Sequence, residues 1–166
     1  MNILQKNSFP LLVSAVLLQT SVFGQTGVAL EKLKTAAESG DATSQDSLAG
    51  AFVCKQDEQQ AETWYRRAAA QGFAHAEGRL ANILFKRARS ATSSVADNKA
   101  DLGTEAIRWA TLAANQGDHR GQTELAEAYL DGVYIQSDLV AAYKWGEACP
   151  TNLPPSLAGR CAMLRF

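Results

Sequence analysis

Ala61-Glu62-Thr63-Trp64-Tyr65-Arg66-Arg67-Ala68-Ala69-Ala70-Gln71-Gly72 decides how this chain is read, because its ending, Ala-Ala-x-x-Gly, occurs three times. The other copies are Ala36-Ala37-Glu38-Ser39-Gly40 and Ala113-Ala114-Asn115-Gln116-Gly117. Each brings its surroundings along. Ala29, Ala61 or Ala106 precedes the glycine at one fixed offset, and Trp64 and Trp109 precede the last two at another. Leu48-Ala49, Leu80-Ala81 and Leu125-Ala126 follow at a third, with Phe52, Leu84 and Tyr129 at a fourth. A fourth, degenerate copy begins at Ala142 and places Trp145 at the tryptophan position. Self-similarity at so many offsets is the signature of a repeat architecture.

The offsets also fix what one copy folds into. Ala61, Trp64 and Ala68, then Ala76, Leu80 and Leu84, step by three and four, so each copy predicts two helices with one apolar face apiece. Gly40, Gly72 and Gly117 end the first helix by accepting the left-handed conformation. Asp41 and Asp118 follow two of these glycines and can cap the second helix. Paired alanines let the two helices approach closely, while Trp and Leu fill the space between successive hairpins.

A lone hairpin cannot bury its apolar face, but about three and a half of them side by side share one core. The predicted fold is therefore all-α, an α-solenoid of stacked helix-turn-helix hairpins. First helices are expected near Ala29–Ser39, Ala61–Gln71, Ala106–Gln116 and Val140–Cys149, in repeats near 29–60, 61–105, 106–141 and 142–166. The glycines are 32 and then 45 residues apart, so the second unit carries 13 extra residues around Arg87 to Gly103. Ser90, Ser93, Ser94, Asp97 and Asn98 make this a solvated loop, following the second helix or an extension of it. No proline occurs from Gln25 to Ala148, which favours long uninterrupted helices.

The chain has 166 residues with 16 Lys and Arg against 17 Asp and Glu, a balance that leaves no basic field for a row of phosphates and excludes nucleic-acid binding. At the N-terminus, Lys6 precedes a short apolar run from Phe9 to Leu18, then polar Gln19-Thr20-Ser21. This is the layout of a signal peptide over residues 1–24, with Val22 and Gly24 as the small residues before a cut that leaves Gln25 first. The run is too short to span a bilayer, and no cysteine follows it to accept a lipid. The expectation is export to the periplasm or the outside, with no membrane span in the mature chain.

Ala61 to Gly72 resembles the first helix of the Sel-one-like repeat, a branch of the tetratricopeptide superfamily. Tyr129-Leu130-Asp131-Gly132-Val133-Tyr134-Ile135-Gln136-Ser137-Asp138, leading to Ala142-Tyr143-Lys144-Trp145, is similar to that family's connector between repeats. The likeness covers about Ala29 to Trp145, and it departs from the family pattern at Lys32, where Trp is expected, and in the long second-repeat insertion. It implies a scaffold that binds a protein or peptide. It also implies an alternative, a small exported protein that binds or hydrolyses β-lactams, as credited to some cysteine-rich relatives.

No catalytic motif stands in the sequence, and neither a cofactor nor a metal is expected. His75-Ala76-Glu77 has the His-x-Glu spacing of zinc deaminases but lacks their cysteine pair, so His75 is read as a helix-surface residue. His119 is read as a capping residue. Trp64, Trp109 and Trp145 share a face with the alanine pairs and are assigned to the core. Outward positions of successive first helices align as two stripes, Thr63/Arg108/Lys144 and Arg66/Thr111/Glu147. Thr63, Arg66, Arg108 and Lys144 are the candidate partner-binding residues, and their cations suit an acidic peptide or a carboxylate. In the repeat register Cys149 takes an alanine position and Cys161 a leucine position of one hairpin, predicting a disulfide after export, with Cys54 a free thiol two hairpins away. The short fourth hairpin further suggests self-association through the C-terminal repeat.

Overall fold

The computed structural model describes residues 28–90 and 96–147, and the regular structure among them is entirely helical. In chain order the helices are α1 (28–38), α2 (Ala42–Cys54), α3 (Glu58–Ala69), α4 (Ala74–Ser90), α5 (Ala96–Asn115), α6 (His119–Asp131) and α7 (Leu139–Glu147). α1–α2, α3–α4 and α5–α6 are hairpins, and α7 opens a fourth. Each helix from α2 onward packs on the next, and α4 also packs on α6. The result is an α-solenoid.

The repeated Ala-Ala-x-x-Gly is the hydrogen-bonding frame of the hairpin turn. Gly40, Gly72 and Gly117 have φ of 104°, 79° and 83°. In each turn the glycine N–H donates to the carbonyl of the second alanine, at 3.2, 2.9 and 3.0 Å. The N–H of the following residue donates to the carbonyl of the first, at 3.2, 3.3 and 3.0 Å. These two bonds are a Schellman cap, which satisfies carbonyls that a helix end otherwise leaves open. Gln56 takes the same role after α2 at φ 61°, although it is not a glycine. Asp41 and Asp118 cap α2 and α6 as expected, accepting from the N–H groups of Ser44 and Gly121. The cap on α6 thus falls to Asp118, and His119 only opens the helix, its carbonyl accepting from the Thr123 hydroxyl at 2.8 Å.

The core runs through the stack without interruption. Leu48, Trp64, Tyr65, Leu80, Leu84, Phe85 and Leu125 are buried around the small residues Ala37, Ala61, Ala68, Ala106 and Ala110. Trp64 sits in the core as expected, but Trp109 and Trp145 are only partly buried. Arg108 covers the outer face of Trp109, its guanidinium 4.6 Å from the ring centroid, as Arg67 covers Trp64 at 4.5 Å. An aromatic ring of this size near the rim keeps one face available for a cation.

The second-repeat insertion corrects the sequence reading. The expected loop from Arg87 to Gly103 is mostly helix: α4 continues to Ser90 and α5 begins at Ala96, ten residues before the expected Ala106. The physical reason is burial. Phe85 and Ala88 of α4 face the core, and the added first turns of α5 bury Gly103 and half-bury Leu102, so the extra residues extend one helix–helix contact. The expected signal peptide at 1–24, and Cys149 with Cys161, lie outside the described residues.

Candidate interaction groove

A groove of about 600 Å³ is lined by Glu58, Gln59, Glu62, Thr63 and Arg66 of α3 and by Arg87 from the end of α4. Thr63 is exposed on its wall, with its hydroxyl donating to the Gln59 carbonyl at 2.9 Å. Arg66 reaches from the groove to the next first helix. Its guanidinium grips Glu105 of α5 in a bidentate pair at 2.5 and 3.1 Å, while Nε donates to Glu62, one turn back, at 3.0 Å. Arg87, from the end of α4, closes on the other oxygen of Glu62, and Lys86 pairs with Glu58 beside it. Glu105 also accepts from the Trp109 indole N–H at 3.2 Å.

A row of alternating charges, Arg87–Glu62–Arg66–Glu105, thus runs from the groove on to α5 and ties three helices. Hydrogen bonding to Arg66, and secondarily to Trp109, holds the Glu105 carboxyl below its ordinary range, and the same pairing holds the Arg66 guanidinium above its own. Of the four residues singled out in the sequence, Thr63 and Arg66 line the groove. Arg108, exposed on α5 and stacked on Trp109, lies near enough to Glu105 to act on its charge. Lys144, exposed on α7, belongs to the next hairpin. Arg66, of the second stripe, is neutralised by two carboxylates, whereas Arg108 and Lys144 of the first are exposed. Glu58, Glu62, Arg87 and Glu105 were missed by the sequence reading. The signal available was the i, i+4 spacing of Glu62 and Arg66, but the partners on other helices become neighbours only through stacking.

A second kind of tie recurs between hairpins. Gln71 Nε2 donates to Gln45 Oε1 at 2.8 Å, and Gln116 Nε2 donates to Glu77 Oε2 at 2.7 Å. In both, the residue just before the turn glycine reaches the residue five after the turn glycine of the preceding hairpin. Glu77 is buried, and burial, with Asp118 nearby, pushes its carboxyl above the ordinary range. His75 lies on the surface and its Nδ1 is 2.9 Å from the Asp46 carboxylate of α2, a further inter-hairpin link.

Among the described residues, no three His, Cys, Asp or Glu side chains come together as a metal site needs, and no helix is long and apolar enough to cross a membrane. Cys54 is an exposed free thiol.

The model of the Sel1 repeat family matches residues 47–73, 100–118 and 119–147. Two of these segments join a second helix to the first helix of the next hairpin, α2 with α3 and α6 with α7. Among solved structures, the chain is similar to a Sel1 repeat protein from Oxalobacter formigenes, with 24% identity and a TM-score of 0.59 over 81% of this chain and 98% of that one. It is also similar to a protective antigen present in uropathogenic Escherichia coli strains that displays an SLR fold. Here identity is 25% and the TM-score 0.60, over 82% of this chain and 31% of the other. No curated protein matches the chain in sequence.

Proposed function

This chain is a Sel1-repeat protein, and on that premise we propose that it is an exported, non-enzymatic scaffold that binds a protein or peptide along the face built by α3, α5 and α7. The observation that carries this reading is the groove of about 600 Å³ along the first helix α3 and the end of α4, lined by side chains with charges of both signs. A partner that offers its own donors and acceptors can exchange with the exposed members of this row. Thr63, Arg66 and Arg108 are the contacts at its centre, and Lys144 extends the surface to the last hairpin. Specificity then comes from matching the order of charges, while single exposed pairs contribute about 0–1 kcal/mol each.

Affinity capture from the native compartment tests the reading. Thr63→Trp, which fills the groove, and Arg108→Ala with Lys144→Ala should each weaken capture with the circular dichroism spectrum unchanged, whereas His75→Ala should retain it. Full-strength capture by the groove-filled variant would place binding elsewhere. Nothing in the geometry favours the β-lactam alternative, and turnover of a chromogenic β-lactam no faster than in buffer is the expected result.

Export is supported by the charged start, the short apolar run and the Val22/Gly24 pair. Intact mass of the exported protein should begin at Gln25. In an oxidising compartment Cys149 and Cys161 pair, so denaturing, non-reducing labelling should find one thiol, Cys54. Three reactive thiols would overturn the pairing. Self-association through the C-terminal repeat should appear as concentration-dependent mass in sedimentation.

A further inference from the structure

The first helices α3 and α7 share one register. An aspartate carboxylate caps each: Asp57 accepts from the Gln60 N–H at 3.1 Å, and Asp138 from the N–H groups of Val140 and Ala141 at 2.9 and 3.0 Å. Each helix carries its tryptophan, Trp64 or Trp145, at the seventh residue. The α3 positions that line the groove, Glu58, Gln59, Glu62 and Thr63, therefore correspond on α7 to Leu139, Val140, Tyr143 and Lys144. The chemistry changes along the stack. All four are polar on α3, and on α5 the last three are Thr104, Ile107 and Arg108. On α7 the first three are apolar and exposed, Leu139 by 70%, Val140 by 79% and Tyr143 by 45%. Their spacing of one and then three residues puts them on one side of the helix.

This exposure belongs to the register and is not an effect of α7 opening the last hairpin. Glu58, Gln59 and Thr63 are exposed too, although α3 packs between α2 and α4 in the middle of the stack. Stacking of hairpins thus leaves these positions open, and α3 shows that polar side chains serve there. Three apolar side chains offer a patch of a few hundred Å², well below the roughly 800 Å² per partner that a stable pair of folded proteins buries. The patch is too small to hold a second copy of the chain by itself. It suits a short peptide segment whose remaining residues find contacts further along the same face.

We propose that Leu139, Val140 and Tyr143 anchor the scaffold's partner, and that the bound part of this partner is a peptide segment with two or three Leu- or Phe-sized side chains beside a stretch of charges of both signs. The apolar cluster lies on α7 and the charged stretch on the groove of α3, so the segment binds in one direction. Apolar burial supplies affinity in proportion to the area taken from water, which exposed ion pairs do not. Affinity therefore comes from α7, and the order of charges comes from the groove. The inference rests on the scaffold reading and adds to it the chemistry and the direction of the partner.

The test is selection of random dodecapeptides displayed on phage against the intact chain, followed by fluorescence anisotropy of the enriched peptides. Enriched sequences should join an apolar cluster to charges of both signs. Leu139→Ser with Val140→Ser should weaken their binding about tenfold or more with circular dichroism unchanged, and Thr63→Trp should weaken it through the charged end. Replacing the peptide's apolar residues by serine should cost as much against the parent chain and almost nothing against the double variant, which places the contact on α7. Peptides that bind the double variant at full strength but are lost with Thr63→Trp overturn the anchor and leave the scaffold reading standing. No enrichment, or indifference to all three substitutions, overturns both. If the double variant loses self-association, or no longer binds phosphatidylcholine–phosphatidylglycerol vesicles that the parent chain binds, the peptide assignment is overturned in favour of a second copy or a membrane surface.

Discussion

Glu77 is a side chain whose ionisation works against the fold. Its pKa in the folded chain is raised above the ordinary 4.5, because burial, and then Asp118, disfavour the carboxylate. The charged form is therefore penalised above the folded pKa, and the penalty is relieved as pH falls through that value toward 4.5. Glu77→Gln keeps an oxygen for Gln116 and removes the charge, so it should raise the thermal midpoint near neutral pH and lose that advantage below the unfolded carboxyl pKa. Glu105 has the opposite sign. Its lowered pKa, due first to Arg66, means stabilisation that is present above 4.5 and lost as pH falls through the folded value. Gln56, left-handed at φ 61°, offers a simpler check: Gln56→Gly should stabilise by about 0.5–1 kcal/mol in urea unfolding, whereas Gly72→Ala should cost about 1–2 kcal/mol.

At the scale of the helix, the pairing of α4 with α5 is the most extensive contact, and it lies between hairpins instead of within one. Leu80 of α4 and Leu125 of α6 are fully buried, so Leu80→Ala and Leu125→Ala should each destabilise by about 2–5 kcal/mol. Equilibrium denaturation of both variants checks this, and a negligible loss at both would mean that the second helices face elsewhere. The added turns of α5 make a separate prediction. Backbone amides of residues 100–105 should exchange slowly, as in the rest of α5, where a solvated loop would exchange fast. The glutamine ties from Gln71 and Gln116 act at this scale too, because each fixes how far one hairpin is displaced along its neighbour.

Over the whole molecule, Arg66 and Glu105 join two hairpins through partly exposed charges. A double-mutant cycle with Arg66→Met and Glu105→Gln should give a coupling of about 1 kcal/mol or less, shrinking in high salt. A coupling insensitive to salt would mean that the pair is far better shielded than its exposure indicates. Because each hairpin touches only its neighbours, loss at one interface should lower stability without changing the helices beyond it.

Periodicity within one copy was legible in the sequence because it is local. The turn glycines, the alanine pairs whose carbonyls they cap, Asp41 and Asp118 as helix caps, and Leu80 and Leu125 as core are all set by residues a few positions apart. The repeat architecture follows from those alone. The insertion was misread because its polar residues describe a solvated segment, and only the burial of Phe85, Ala88 and Gly103 at the α4–α5 contact makes helix the favourable state. The site was legible to the extent of Thr63 and Arg66. That Arg66 is spent on Glu105, 39 positions away, depends on how the hairpins stack. Local pattern fixes each helix and its face, whereas the distance between charges on different hairpins exists only once those faces are buried against one another.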